Sequence, residues 1–463
     1  MASEEVEHHC GVFVGHTLQD TYNGIKALQH RGQDTAGIGV RRDDGKIDVV
    51  RWLGSVRDFS LESLNAILPK GDLFIGHVRY STMRGKDPLS TFRGAHPRVL
   101  GGEVIDNSNS LYPHRIIRGA KAALAHNGNI PHLETSNEKI DSDIVLEYYF
   151  REGVHNTMKE FESAYSLAIL DERINGASLL RDRYGIRPLW IGRKNRGIIA
   201  SSEDVALWEI GGTPLREVRN GESIHIPLHG EDYGFQKIYN EQEKFCFFEG
   251  NYMQSPSSSI KGRINSDLRR DLGKQLAKEY SPDVDLISFI PHSPEFMARA
   301  YSEERNIDFK PLLYKVKKKR VFLGCDQETR VNDAKSNFFV IDNCEIDGKR
   351  ILLLDDSLVR GVNAKEVSLK LRERGASWLG LALGTPIVGP EIDGVQRGCL
   401  YGVDMPPNDD FAIKQYGSER GIKEAIGFNE IYFISYEGLF KAHKSSIENL
   451  CTYCIGGPDP LED

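Results

Sequence analysis

With 463 residues, 40% of them hydrophobic, the chain exceeds what a single core usually serves, so two domains are expected. A formal net charge of -8, spread along the chain, argues against nucleic acid or an anionic membrane as a standing partner, while a local site can still take small anions. No stretch reads as a membrane span, and the acidic opening Met1–His9 lacks a secretory pattern, so a cytoplasmic protein is expected, whose seven cysteines read as thiols, metal ligands or nucleophiles rather than as disulfides.

From Cys10 to about Ile238 the pattern is one of short strands and turns, as in Gly11-Val12-Phe13-Val14-Gly15 and Ala164-Tyr165-Ser166-Leu167-Ala168-Ile169-Leu170, which predicts stacked sheets. Polar, small residues at Ser255-Pro256-Ser257-Ser258-Ser259 predict a connector. Beyond it, Val284–Ile290 and Ile351–Leu354 are apolar runs of strand length, each followed by a turn and a helix-like stretch, as a parallel sheet with crossover helices requires. The second of these helices should end at Gly375. No internal repeat interrupts this order.

Cys10 stands only nine residues from the start, before a glycine-flanked strand. In isolation it reads as a buried strand cysteine. Removal of Met1–His9 would instead place a free α-amine beside the thiol, and an amine with a pKa of about 8 can take the thiol proton and return it to a leaving group. Four ordered motifs sharpen the choice: Cys10-Gly11-Val12-Phe13, Leu28-Gln29-His30-Arg31-Gly32-Gln33-Asp34-Thr35-Ala36-Gly37-Ile38, Gly76-His77-Val78-Arg79-Tyr80-Ser81-Thr82 and Ala125-His126-Asn127-Gly128-Asn129-Ile130. Together they resemble the N-terminal-nucleophile glutaminase domain of amidophosphoribosyltransferases, the enzymes that open purine synthesis. Arg181–Leu189 and Ala200-Ser201-Ser202-Glu203 extend the likeness through the first half.

The resemblance implies a propeptide at 1–9, an αββα glutaminase domain at 10–240 and a type I phosphoribosyltransferase-like domain at 241–463, thus an α/β and α+β chain. It implies that Cys10 attacks glutamine, that the Asn127 side chain and the Gly128 N–H hold the oxyanion, that Arg79 grips the substrate α-carboxylate and that Asp143 holds its α-ammonium. A homotetramer is the family habit.

In the second half, Arg350–Asn363 puts Asp355 and Asp356 at the end of a buried strand, then Ser357, Arg360 and Gly361 in a turn entering a helix. This is where open α/β sheets bind ligands, with carboxylates for ribose hydroxyls and helix N–H groups for a phosphate. The stretch is similar to the phosphoribosyl-pyrophosphate motif of type I phosphoribosyltransferases, which implies that ligand together with Mg2+. Three departures mark it: Val362-Asn363 where the family has two threonines, Pro291-His292-Ser293-Pro294 where it has Pro-Asp-Ser-Gly, and Lys315–Leu323 where a differently worded segment closes over substrate. The acceptor is therefore phosphoribosyl pyrophosphate, another phosphorylated sugar, or a ligand that is sensed without turnover.

Cys246, Cys399, Cys451 and Cys454 match the four positions that carry a [4Fe-4S] cluster in one branch of the family, with Ser435–Leu439 and Gly456-Gly457-Pro458 matching around the pair. Zinc or free thiols are the alternatives. Cys325 and Cys344 fall outside this set.

Overall fold

The structure is a computed structural model that describes residues 10–80, 88–135, 139–195, 197–230, 232–315, 338–341, 346–403 and 405–462. Met1–His9, all of the lysine-rich segment after Lys315, Cys325 and Cys344 lie outside the described residues.

Two antiparallel sheets, of nine and six strands, occupy residues 11–237. In the larger sheet Gly11–Gly15 lies between Leu73–Arg79 and Gly197–Ser201. Successive side chains on a strand point to opposite faces. Val12 and Val14 accordingly face the second sheet, packing with Ala123, Ala125, Ala168 and Leu170. Phe13 faces outward onto a helix at Leu18–Ala27. That contact needs Gly24, since a Cβ there would enter the Phe13 ring. On the far side, Leu124, Leu167 and Ile169 of the smaller sheet bury Val145, Leu146 and Tyr149 of the helix Asp141–Glu160. The result is four layers, helix, sheet, sheet, helix, with both sheets covered on both faces; this is why their central strands read as nearly continuous apolar runs.

The second half builds a four-stranded parallel sheet ordered Leu286–Phe289, Arg350–Asp355, Trp378–Leu383, Glu430–Phe433. Ile351 and Leu353 face one helical layer, containing Val362–Glu373 and Glu419–Ile426. Leu352 and Leu354 face the other, containing Asn265–Glu279 and Glu295–Arg305. The predicted strand at Val284–Ile290 is shorter than expected, and the helix before Gly375 ends at Glu373, with Gly375 at φ +89°.

The segment Ser255–Ser259, expected as a connector, is packed against the first half rather than left in solvent. Ser258 is fully buried, and the Ser255 N–H and Ser258 Oγ both donate to Glu203 Oε2, at 2.9 and 2.6 Å. Its side chains are small and polar because they fit against a buried carboxylate of the first half.

Candidate functional site

Register places Cys10. Gly11 pairs with Val78, so Cys10, one residue earlier, emerges opposite Arg79 at the end of the larger sheet. Burial pushes the Cys10 thiol up, while Arg79, the Tyr80 backbone N–H, Arg187 and Arg31 pull it down. Arg31 also fixes the main chain, its Nε donating to the Cys10 carbonyl at 2.8 Å.

Arg79 is buried, and its Nη1 has no hydrogen-bond partner. Burial lowers its pKa, opposed by Cys10 and Asp141. Gly94 gives the guanidinium its room, since a Cβ there would collide with it. A buried cation with an unmet donor is costly unless a ligand supplies the acceptor, and a planar carboxylate suits the guanidinium fork.

Asn127 and Gly128 come from the strand Ala122–Asn129 of the smaller sheet. Asn127 is fully buried; its Oδ1 accepts from Arg187 Nη2 at 3.4 Å, and its Nδ2 has no partner. Gly128 has φ +153°, and a Cβ there would strike the Ala164 carbonyl. The same strand touches the second half: Asn129 Nδ2 donates to the Leu400 carbonyl at 2.7 Å, and Gly402 packs on Gly128.

The structure places Asp143 elsewhere. Its carboxylate takes both Nε and Nη2 of Arg98 at 2.7 Å and also accepts the Ile140 N–H at 3.0 Å, closing the first turn of the helix. Asp141, two residues earlier, is the carboxylate within electrostatic reach of Arg79, and one of its oxygens lies 3.9 Å from His126 Nδ1. Two residues on a helix are about 200° apart, so the two acids cannot serve one site. An acid at the third helical position is a capping signal, and that pattern marks Asp143 in the sequence itself.

Behind Arg79 and Asn127 lies a histidine group of which the motifs contained His77 and His126 but not His96. His96 Nε2 and His126 Nδ1 both bond Ser142 Oγ, at 3.0 and 2.8 Å, and His77 Nε2 bonds the His126 carbonyl at 2.9 Å. Burial pushes all three histidines down, His77 to about 3, so they are neutral struts at neutral pH.

Asp355, Asp356, Ser357, Arg360 and His292 line a cavity of about 540 Å³ between the halves, which His30 of the first half also reaches. Asp356 is buried; Ser357 Oγ donates to its Oδ1 at 2.9 Å, and Ser293 of the altered loop donates to its Oδ2. Gly361, at φ +78°, turns the chain into the helix Val362–Glu373. Val362 opens that helix 37% exposed and carries no side-chain donor.

Residues 65–225 match a family described as a glutamine amidotransferase domain. An amidophosphoribosyltransferase of Methanocaldococcus jannaschii is 31% identical, with 98% of each chain covered. One of Bacillus subtilis is 28% identical over 99% of this chain and 95% of its own. The chain belongs to the amidophosphoribosyltransferases. A solved structure of the glutamine phosphoribosylpyrophosphate amidotransferase of B. subtilis, complexed with ADP and GMP, overlays with TM-score 0.79 at 27% identity, covering 98% of both chains. This amidophosphoribosyltransferase is thus an enzyme with the expected fold, a nucleophile-bearing αββα unit and a phosphoribosyltransferase-like sheet. Among its described residues no helix is long and apolar enough to cross a membrane.

Four thiols of this amidophosphoribosyltransferase converge where its halves meet. Cys246 and Cys451 are direct partners in a short parallel strand pair, and Cys454 follows in the next turn. Burial pushes Cys246 up to about 12 and raises Cys451 and Cys454, with further upward pressure from neighbouring thiols of the set. The Tyr401 and Val403 N–H groups aim at Cys399 Sγ, at 3.4 and 3.3 Å. Among the described residues no three His, Cys, Asp or Glu side chains are grouped to hold a single metal ion. A four-iron cluster is wider than one ion, and buried thiols carrying N–H donors suit its thiolate ligands.

Proposed function

We propose that this chain hydrolyses glutamine at Cys10 and passes the ammonia to phosphoribosyl pyrophosphate, giving phosphoribosylamine at the first step of purine synthesis. The reading is supported by one juxtaposition: the Cys10 thiol emerges opposite a buried guanidinium with an unmet donor, Arg79, and Asn127 presents a buried amide with another. Residues 10–240 would form the glutaminase unit and 241–463 the acceptor unit.

In this reading Arg79 binds the glutamine α-carboxylate and Asp141, rather than Asp143, binds its α-ammonium. The thiol sulfur bonds to the side-chain amide carbon, and the carbonyl oxygen becomes an anion held by Asn127 Nδ2 and the Gly128 N–H. The C–N bond then breaks, and ammonia leaves with the proton that the Cys10 α-amine took from the thiol, once Met1–His9 are removed. Water cleaves the thioester to glutamate. The two sites are joined by a short run of contacts: His30 and Ser255 line the acceptor cavity and both bond Glu203, which accepts from Arg31, the side chain that holds the Cys10 carbonyl.

At the acceptor cavity Asp355 and Asp356 would receive the ribose hydroxyls, with Ser357, Arg360 and the Gly361 turn at the 5′-phosphate. One or two carboxylates plus ligand phosphates is also the donor set for Mg2+, which would neutralise pyrophosphate charge. Cys246, Cys399, Cys451 and Cys454 would hold the [4Fe-4S] cluster, which would tie the C-terminal tail to the interdomain strand. A homotetramer in the cytoplasm, where a reducing milieu keeps Cys10 free, completes the proposal and is checked by the mass of the native assembly.

The decisive experiment replaces Cys10 by alanine. Glutamate release from glutamine should vanish, while free ammonia and phosphoribosyl pyrophosphate should still yield pyrophosphate. Glutamate release that survives would end the glutaminase reading; absence of pyrophosphate release from the unaltered protein would end the acceptor reading. The N-terminal mass of active protein should begin at Cys10.

A further inference from the structure

We propose that Glu249, supplied by the second half of the chain, is a positioning residue for glutamine hydrolysis that acts through Arg187 on the oxyanion donor Asn127; it also pairs with Arg31, which holds the Cys10 carbonyl and keeps Glu203 as a second partner. The inference rests on the reading of Cys10 and Asn127 given above. Glu249 is buried, 2% exposed. Its Oε1 accepts from Arg31 Nη2 at 2.9 Å and forms an ion pair with Arg187 Nη2 at 3.0 Å, and its Oε2 accepts from Arg31 Nη1 at 3.0 Å. Arg31 donates onward to the Cys10 carbonyl, and Arg187 donates onward to Asn127 Oδ1. One carboxylate thus joins the two arms of the site.

The orientation of the Asn127 amide is what matters. An amide has an acceptor end and a donor end, and in the opposite orientation its oxygen would face the developing anion. Arg187 holds the oxygen and so aims Nδ2, the buried atom without a partner, at the reacting carbonyl. Among the described residues Glu249 is the one carboxylate paired with Arg187, whose Nε and Nη1 have no partner. Without that charge the guanidinium is a buried, unpaired cation and has no reason to keep its place.

Glu249 also opens the helical turn Glu249–Met253, whose Tyr252 and Met253 line the acceptor cavity. Arg269 clamps this turn through the Gly250, Tyr252 and Gln254 carbonyls, at 3.1, 3.0 and 2.6 Å. A ligand that shifts the cavity wall therefore acts on the oxyanion donor through a single side chain.

The test uses full-length protein carrying Glu249→Gln, nearly isosteric but uncharged. Glutamine hydrolysis should lose at least about tenfold in kcat, with KM changed by less than about threefold, because substrate gripping belongs to Arg79. Alkylation of Cys10 by iodoacetamide should stay within about twofold, showing a folded site. In an Asn127→Ala background the same change should cost less than about twofold more, as expected of residues acting as one unit. An unchanged kcat, a loss confined to KM, or a full multiplicative loss in the Asn127→Ala background would overturn the proposal. If Glu249→Gln fails to fold, Arg187→Lys, which keeps the charge but cannot span both partners, is judged by the same criteria. Glutamine hydrolysis surviving Cys10→Ala would instead strike the underlying reading, whatever Glu249 does.

Discussion

The two ligand sites of this chain differ in what their polar groups already hold. Around Cys10, Arg79 Nη1 and Asn127 Nδ2 are buried with nothing to bond, so they stand ready for charge that a substrate or intermediate would bring. In the cavity between the halves, Asp356 already accepts hydrogen bonds from Ser293 and Ser357. In the proposed reading the first site is preorganised, and the second would have to exchange hydrogen bonds when a sugar phosphate enters. Preorganised donors lose no reorganisation energy at the moment of reaction, which is where electrostatic catalysis gains most.

Substitutions can sharpen this contrast. Arg79→Gln should lower kcat/KM for glutamine by about 10²–10³, chiefly through KM, because it removes a buried two-pronged bond to a carboxylate. Steady-state glutamate release measures this, and a loss confined to kcat would mean that Arg79 is not the carboxylate anchor. Asp141→Asn should raise KM for glutamine by about ten- to a hundredfold, whereas Asp143→Asn should leave KM unchanged and instead cost about 1 kcal/mol in a denaturant titration, by loosening the Arg98 pair and the helix start. Reversal of those two outcomes would restore Asp143 as the ammonium ligand.

The histidine struts give a pH signature to the first half. Burial holds His77, His96 and His126 below their unfolded pKa of about 6.5, so the unfolded chain binds protons that the folded chain refuses. Their contribution to stability is whole above about pH 6.5 and is lost as pH falls below it, by up to about 1.4 kcal/mol per pH unit for each histidine, a loss that for His77 continues toward about pH 3. Denaturation midpoints between pH 6.5 and 5 isolate this slope from carboxylate protonation, and a flat profile there would contradict it. The smallest effect belongs to the acceptor side. Val362→Thr supplies one hydroxyl at the start of the helix after Gly361 and should tighten phosphoribosyl pyrophosphate binding by about 1 kcal/mol, roughly fivefold, read by titration calorimetry.

Much of this was legible without coordinates. Cys10, Arg79 and Asn127 lie in runs of characteristic wording, and the apolar strand ending in Asp355-Asp356 announces a ligand edge. The choice between Asp141 and Asp143 was not legible, because Asp141-Ser142-Asp143 offers two acids and which one turns toward Arg79 depends on where the helix starts. The packing of Ser255–Ser259 was not legible, because small polar residues look alike whether they flex in water or fit around a buried carboxylate such as Glu203.

By itself the sequence determined the strand periods, the order of the two halves and the motifs that single out Cys10, because these follow from local alternation and contiguous wording. Only the tertiary structure decided that Asp141 rather than Asp143 lies within electrostatic reach of Arg79, that three buried histidines brace the strand carrying Asn127, and that Glu249 reaches back to Arg31 and Arg187 over more than 60 residues of chain. Such pairings depend on burial, which leaves a guanidinium no option but the carboxylate that folding brings beside it, and no local pattern encodes that partner.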